Sequence, residues 1–320
     1  MKITRLGDGP IIRPEMDARM GPNIQGPSLI RVPDWVPDPL GRYYLYFADH
    51  KGTYIRLAYA DAVAGPWTVH PPGSLQLAQS GFPTEAPALP EGKPLPDRAP
   101  RAPGVPSPYD DQVIPHIASP DAHVDEDGRR ILLYYHGLEA FGLQVTRVAV
   151  STDGLAFTAQ PQILGHPYFR VVRHEGVSYA LAMPGILYRS EDGLTGWSAG
   201  PVLFPATMRH SALLKRGDTL HVFWTEAGDA PERIWVSRIA MVGPWTEWRA
   251  SERVELMRPE LPYEGALEPV APSHRSAVTH PVNQLRDPAI FEEDGRVYLL
   301  YAVAGESGLA LAEIDMSACR

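Results

Sequence analysis

The apolar positions of this chain fall into short runs that return in the same order five times. Each copy reads as a short apolar strand, a turn built on Asp-Gly or a similar pair, an aromatic-rich second strand, and a third strand often followed by another turn. The clearest copy is Arg286-Asp287-Pro288-Ala289-Ile290-Phe291, the turn Glu293-Asp294-Gly295, the strand Val297-Tyr298-Leu299-Leu300-Tyr301, and then Leu309-Ala310-Leu311-Ala312-Glu313-Ile314. The copy before it matches closely: Arg209-His210-Ser211-Ala212-Leu213-Leu214, Gly217-Asp218, then Leu220-His221-Val222-Phe223-Trp224. Three looser copies pair Gly26–Ile30 with Tyr43–Phe47, Ser119–Val124 with Ile131–Tyr135, and His166–Val171 with Ser178–Ala182. Runs that are short, β-branched or aromatic, and closed by Gly, Asp or Pro are strands and hairpins. No window holds a helical apolar period for three turns. The pattern predicts an all-β protein, and repeats of this size predict an array.

Five units of three or four antiparallel strands predict a five-bladed β-propeller. It is read as a single domain over residues 1–320, with blades at roughly 20–90, 116–163, 164–206, 207–255 and 284–318. The last unit runs out after three strands, so a strand from Ile3–Leu6 or Ile11–Arg13 is expected to complete it and close the ring. Two proline-rich insertions, Pro71–Pro115 and Arg249–Leu285, break the rhythm. They are expected to serve partly as outer strands and partly as rims of the channel mouth. Ser151-Thr152-Asp153-Gly154 and Ser190-Glu191-Asp192-Gly193 read as turns between third and fourth strands, capped by their own side chains. Trp67, Trp197 and Trp245 follow such turns and are expected to pack between blades.

Composition narrows the class. Proline (34 residues) and glycine (28) are abundant, and among so many short strands they punctuate turns rather than mark disorder. A formal charge of −9 argues against a nucleic-acid partner, which would need a basic footprint. Cys319 is the single cysteine, which excludes an internal disulfide and a cysteine-based zinc site. No apolar stretch approaches the length that spans a membrane, and the first residues lack the apolar core of a signal peptide, so a cytoplasmic protein without a membrane partner is expected. Nothing in the sequence speaks to oligomeric state.

In a propeller the innermost strands line a central channel, so their polar residues converge. Aligning the copies on the fifth sets Gly26, Ser119, His166, His210 and Asp287 at equivalent inner-strand positions. Alternation places Asp121 and His123 on the strand face of Ser119. The ends of the second strands bring Asp49-His50, His136, Met183, Thr225-Glu226 and, just beyond, Glu306. Carboxylates and imidazoles gathered at a concave mouth suit general acid–base chemistry. The catalytic candidates are Asp49, Asp121, His123, His210, Glu226 and Asp287. The substrate-binding candidates are Ser119, His136, His166, Arg209, Arg286 and Glu306. Tyr43, Tyr134, Tyr168 and Trp224 read as blade core rather than as sugar platforms.

The unit Ser119-Pro120-Asp121-Ala122-His123-Val124, the motif Arg286-Asp287-Pro288 and the five-fold rhythm resemble the five-bladed propeller glycoside hydrolases, the superfamily of families 43, 62, 32, 68 and 117. The resemblance implies a glycosidase in which carboxylates of the inner blades act as acid, as base or nucleophile, and as orienter. It makes Asp121 the orienter or stabiliser, Asp287 a second channel carboxylate and Glu226 the general acid. One departure stands out. Family 43 enzymes begin blade one with Asp-Pro-Ser, the Asp being the base, whereas this chain has Gly26-Pro27-Ser28. Either Asp49, Asp17 or a histidine substitutes, or the classical mechanism does not apply.

The expected function is therefore a carbohydrate-active enzyme hydrolysing an oligosaccharide or glycoside by acid–base catalysis, with no cofactor required. Two other readings stay open on the residues alone. One is a non-catalytic sugar-binding propeller. The other is a lyase-type enzyme with a divalent metal in the channel, for which His123, His166, His210 and Asp287 would form the ligand set.

Overall fold

The computed structural model describes residues 1–317; Cys319 lies outside them. Five four-stranded antiparallel sheets stand side by side as the blades of a propeller. From the axis outward, the first holds Gln25–Arg31, Tyr43–Ala48, Tyr54–Ala60 and Thr68–Gln76. The second holds Ile117–Asp125, Arg130–Ala140, Leu143–Ser151 and Thr158–Ala159. The third holds Arg170–His174, Val177–Ala182, Ile186–Ser190 and Ser198–Val202, and the fourth Met208–Arg216, Thr219–Glu226, Ile234–Ala240 and Val254–Met257. The fifth is Arg286–Glu293, Arg296–Ala302 and Leu309–Asp315, completed by the N-terminal strand Lys2–Leu6. Of the two segments expected to close the ring, Lys2–Leu6 supplies the outer strand, pairing Lys2 with Asp315 through Leu6 with Leu311. Ile12 adds only an isolated bridge to Leu309.

The second strands explain why this sequence forms blades. They are apolar at almost every position instead of alternating with polar residues, because both faces of each blade are covered by a neighbour. In blade one, Tyr44 and Tyr46 pack toward blade two while Tyr43, Leu45 and Phe47 pack toward blade five. In blade five, Leu299 and Tyr301 face blade four while Tyr298 and Leu300 face blade one. The core is thus five apolar seams, one between each pair of adjacent blades. Period-two geometry sends successive residues of one strand into different seams.

Polar ties recur across the seams. The Tyr46 hydroxyl donates to the Gly154 carbonyl at 2.8 Å, and Tyr134 repeats the bond one blade on, to Gly193 at 2.8 Å. Both acceptors lie in the expected Ser-x-Asp-Gly turns, which Ser151 and Ser190 cap through the backbone N–H of Gly154 and Gly193. Trp67 is buried in the seam between blades five and one, and Trp197 packs against Tyr134 and Phe169 between blades two and three.

The two insertions do both things expected of them. Thr68–Gln76 and Val254–Met257 are outer strands. Beyond them, the chain returns over one mouth of the channel, where Ser276 Oγ donates to Asp111 Oδ1 at 2.5 Å. Glu264, also in the second insertion, is wholly buried and holds the closing strand. It accepts from Arg5 Nε at 2.7 Å, from the Tyr301 hydroxyl at 2.9 Å, and from the backbone N–H of Glu260 and Leu261. Removing one partner of such a pair strands the other, at about 3–5 kcal/mol. Glu264→Ala is expected to lower the melting temperature by roughly 5–10 °C. Glu260→Ala, which removes an exposed partner of the same arginine, should shift it by no more than about 2 °C. Differential scanning calorimetry of both variants checks the contrast.

Candidate active site

Every inner strand except that of blade three is paired with a bulge near its start: two residues oppose one on the second strand. The pairs on either side are Gln25–Ala48 and Ser28–Tyr46, Ala118–His136 and Asp121–Tyr134, Met208–Glu226 and Ser211–Trp224, and Arg286–Ala302 and Ala289–Leu300. This register corrects the alignment in two blades. Arg209, not His210, is the partner position of Asp287. In blade three the Pro167 carbonyl meets Met183 N–H just before the strand, which makes Tyr168, not His166, the equivalent residue. The column at the axis is Gly26, Ser119, Tyr168, Arg209 and Asp287. Four of these five have left-handed backbones, with φ of 62°, 51°, 67° and 47° for Gly26, Ser119, Tyr168 and Asp287. For non-glycine residues this costs on the order of 1–3 kcal/mol each, and surrounding structure must impose it.

Crowding at the axis also accounts for the departure in blade one. A Cβ on Gly26 would lie 2.8 Å from the Cα of Ser119. There is no room for any side chain at position 26, so no carboxylate can stand there in this chain.

The inner strands begin, and the second strands end, at the same mouth. A cavity of about 330 Å³ opens there, lined by His50, Ser119, His136, His166, Tyr168, Arg209 and His210. Beneath its floor lie two fully buried carboxylates with opposite settings. Glu306 meets His50 Nδ1 at 3.1 Å and accepts from Arg286 Nη1 at 2.8 Å, from Asn23 Nδ2 at 2.5 Å and from Val278 N–H at 3.3 Å. Burial alone would raise its pKa, but His50 and Arg286 outweigh burial and hold Glu306 ionised well below the usual carboxylate range. Asp287 accepts only the Tyr168 hydroxyl, at 2.7 Å on Oδ1, and its Oδ2 has no partner. Burial first, and then repulsion from Glu306, raise Asp287 to about 6. Titratable neighbours pushed apart in this way are how one site holds a proton donor beside an acceptor.

Other groups fix the geometry. The His50 backbone N–H donates to Asn23 Oδ1 at 2.9 Å, and with Nδ1 on Glu306 the ring leaves Nε2 for the cavity. Arg209, 1% exposed, donates to Glu232 at 3.3 Å and to the carbonyls of His274 and Ser276. Burial, Arg209 and Arg286 drive the His210 pKa well below the ordinary imidazole value, so that ring is neutral. His136 is likewise held neutral by burial, with His50 and Lys51 adding to the effect, and its Nδ1 has no partner.

Of the catalytic candidates, only His210 lines this cavity, with Asp287 directly below. Glu226, expected as general acid, is elsewhere. Thr225 takes the inward place beside His210, so alternation turns Glu226 to the opposite face, where it pairs with Arg253 and accepts from the Thr207 hydroxyl. Asp49 caps Lys51 N–H and faces Arg56 at 3.5 Å, serving its own loop. Asp121 and His123 pair at 2.8 Å and line a separate concavity of about 540 Å³ at the opposite mouth. Asp121 still reaches the axis: its Oδ1 is 3.6 Å from Arg170 Nη1, and Arg170 Nη2 donates to the Tyr168 hydroxyl at 3.1 Å. Burial opposes its ionisation, yet His123 and Arg170 prevail and lower its pKa.

Of the substrate-binding candidates, Ser119, His136, His166 and Arg209 line the cavity, while Arg286 and Glu306 lie behind it. The ligand set His123, His166, His210 and Asp287 is not assembled, since His123 is at the far mouth. Among the described residues no three His, Cys, Asp or Glu stand close enough to hold a metal ion. Sequence reasoning missed Tyr168, whose apolar neighbours read as core, and Lys51, Arg275 and Ser276, which sit on loops without a repeat to align.

No protein-family model matches the chain. It is 33% identical over 319 residues to the uncharacterized protein R118 of Acanthamoeba polyphaga mimivirus, an alignment covering 91% of this chain and 83% of that one. The chain belongs to the family of that viral protein. Its fold is that of the five-bladed propeller glycoside hydrolases. A structure described under the GH130 family of mannoside phosphorylases, with glycoside hydrolases that target β-1,2-mannosidic linkages in Candida mannan, superposes with a TM-score of 0.61 at 13% identity, covering 98% of this chain and 93% of that one. A GH43_1 enzyme from Xanthomonas citri gives 0.57 at 12% identity, covering 95% and 94%. The exo-β-1,3-galactanase of Phanerochaete chrysosporium gives 0.56 at 10% identity, and here the chain spans 66% of its length.

The setting of Asp287 makes a stability prediction. Its folded pKa is raised above the unfolded value, so the wild type loses stability as pH rises from about 4 through about 6. Asn tolerates the left-handed backbone and still accepts from Tyr168. The stability of Asp287→Asn relative to wild type should therefore rise between pH 4.5 and pH 8, by on the order of 2–3 kcal/mol. Urea unfolding at the two pH values measures it; an unchanged difference would contradict the setting.

Proposed function

We propose that the protein is a glycosidase that hydrolyses a terminal sugar held in the mouth of the channel. The observation that carries this reading is the Glu306–His50 pair: an imidazole on the cavity wall, held by a buried carboxylate at 3.1 Å, beside a second carboxyl whose pKa is pushed up to about 6. A carboxylate that holds one ring nitrogen of a histidine orients the other for proton transfer. The fold shared with glycoside hydrolases supports the substrate class. The cavity volume, at the small end of ligand sites, suits one sugar ring better than an extended chain.

In this reading a water attacks the anomeric carbon and gives its proton to His50 Nε2 while the glycosidic C–O bond breaks. The leaving oxygen takes a proton relayed from Asp287 through Tyr168: the hydroxyl, which in the resting site donates to Asp287 Oδ1, turns its proton to the leaving oxygen while the protonated Asp287 gives its own to the Tyr168 oxygen. The step leaves His50 charged and Asp287 ionised, and proton exchange with solvent restores both. Arg170, anchored by Asp121, and Arg209, anchored by Glu232, are positioning residues for this floor. The base that family 43 draws from blade one is replaced here by a histidine from the end of the second strand of the same blade.

A panel of aryl-glycosides identifies a substrate and then tests the roles. His50→Ala and Asp287→Asn should each lower kcat by about 10²–10⁴ with the fold intact. Tyr168→Phe should do the same, since it breaks the proton relay from Asp287 to the sugar. Activity of the wild type should fall as pH rises above about 6, where Asp287 ionises. Full turnover by the His50 and Asp287 variants would sink the assignment.

A further inference from the structure

The cations around the cavity are matched by carboxylates, with one exception. Lys51 Nζ lies 3.3 Å from Asp111, Arg209 pairs with Glu232 at 3.3 Å, and Arg286 pairs with Glu306 at 2.8 Å. Arg275, on the second insertion, lines the same cavity and has no carboxylate partner among the described residues. Its contacts are weak or neutral: Nη1 to the Met183 sulfur at 3.0 Å, and Nη2 to the carbonyls of Ala206 at 2.8 Å and Met208 at 3.2 Å. A guanidinium offers five N–H donors, so these contacts hold the group in place without exhausting it. Burial and the neighbouring Arg209 both work against its charge. A solvated surface arginine would swing away from such a neighbour, whereas this one is tied to three groups at the wall.

Deepening the glycosidase reading, on which it rests, we propose that the bound sugar carries an oxyanion, a carboxylate as in a uronic acid, and that Arg275 receives it. A planar guanidinium with free donors matches a carboxylate in both charge and geometry. Arg209, beside it on the wall, adds positive field and competes little for the ligand, because four of its five donors are already taken by His210, Glu232, His274 and Ser276. The anion belongs to the sugar rather than to a separate molecule, because a cavity of about 330 Å³ filled by one ring leaves little space for a second ligand. His166, whose Nδ1 is occupied by the Tyr188 hydroxyl at 2.6 Å, leaves Nε2 on the cavity for a sugar hydroxyl.

Titration calorimetry of the full chain with glucuronate, galacturonate and mannuronate, each against its neutral parent sugar, tests the proposal. At least one uronate should bind about tenfold or more tightly than its parent. That preference should shrink between about 0.05 M and 0.5 M salt and collapse toward unity in Arg275→Met, while Arg275→Lys should keep part of it. Equal binding of uronates and neutral sugars, or a preference that survives in Arg275→Met, overturns it. Inorganic phosphate, titrated in parallel, separates the sources of the anion. Phosphate that competes with the uronate supports the proposal; phosphate that binds alongside a neutral sugar, with no advantage for any uronate, overturns it. The glycosidase and the anion site fail separately. Neutral glycosides cleaved through His50 without a preference for uronates remove this inference and leave the glycosidase. A uronate preference with no glycoside cleaved removes the glycosidase and leaves the anion site.

Discussion

Everything in this molecule follows from the requirement that each blade bury both of its faces. A sheet with an apolar second strand cannot expose either side to water, and a row of such sheets is stable only when it has no first and no last member. The closing strand Lys2–Leu6 therefore does more than add five residues to a sheet: it turns an open row into a ring. Once the ring closes on five blades, the inner strands are forced to the axis, and the chemistry follows from that crowding. Bulges and left-handed residues appear where the backbones meet, and side chains there are either removed, as at Gly26, or locked into a dense hydrogen-bonded layer.

That layer is where charge is handled. Arg286 stands between Glu232 at 3.3 Å and Glu306 at 2.8 Å, and Arg209 shares Glu232 with it. Buried ion pairs contribute little to net stability because desolvation cancels much of their attraction. Their use here is placement. They hold Glu306 ionised and directed at His50, and the negative charge so created is, after burial, part of what raises the pKa of Asp287. The fold stabilises a difference between two carboxyl groups, and that difference is the resource a proton-transfer site requires.

The architecture was legible because the seams write themselves into the sequence. Runs such as Tyr43–Phe47 and Val297–Tyr301, closed by turn residues, leave few alternatives to five packed blades. The site was legible only in part. Glu306, His136, Arg209 and Ser119 could be found because they fall at strand ends or in the repeat. Two kinds of error entered elsewhere. One was register: a bulge inserts a residue that hydrophobic spacing does not reveal, so His210 and His166 were aligned where Arg209 and Tyr168 belong. The other was facing: at the end of a strand a single step decides between axis and periphery, and Thr225 and Glu226 fall on opposite sides of it. Loop residues such as Arg275 left no periodic trace at all.

Gly26 bears on how such a site changes over time. The atom that excludes a side chain there is the Cα of Ser119, which belongs to the backbone of the next blade. No exchange of residue 119 for a smaller one would make space, because every amino acid carries that atom. Placing a carboxylate at position 26 would require two strands to move apart, and the apolar seam between them resists that. The glycine is thus a fixed constraint: while the strands stay settled against each other, no substitution at position 26 alone brings a side chain to the axis from blade one, and the chemistry there must come from side chains elsewhere on the rim.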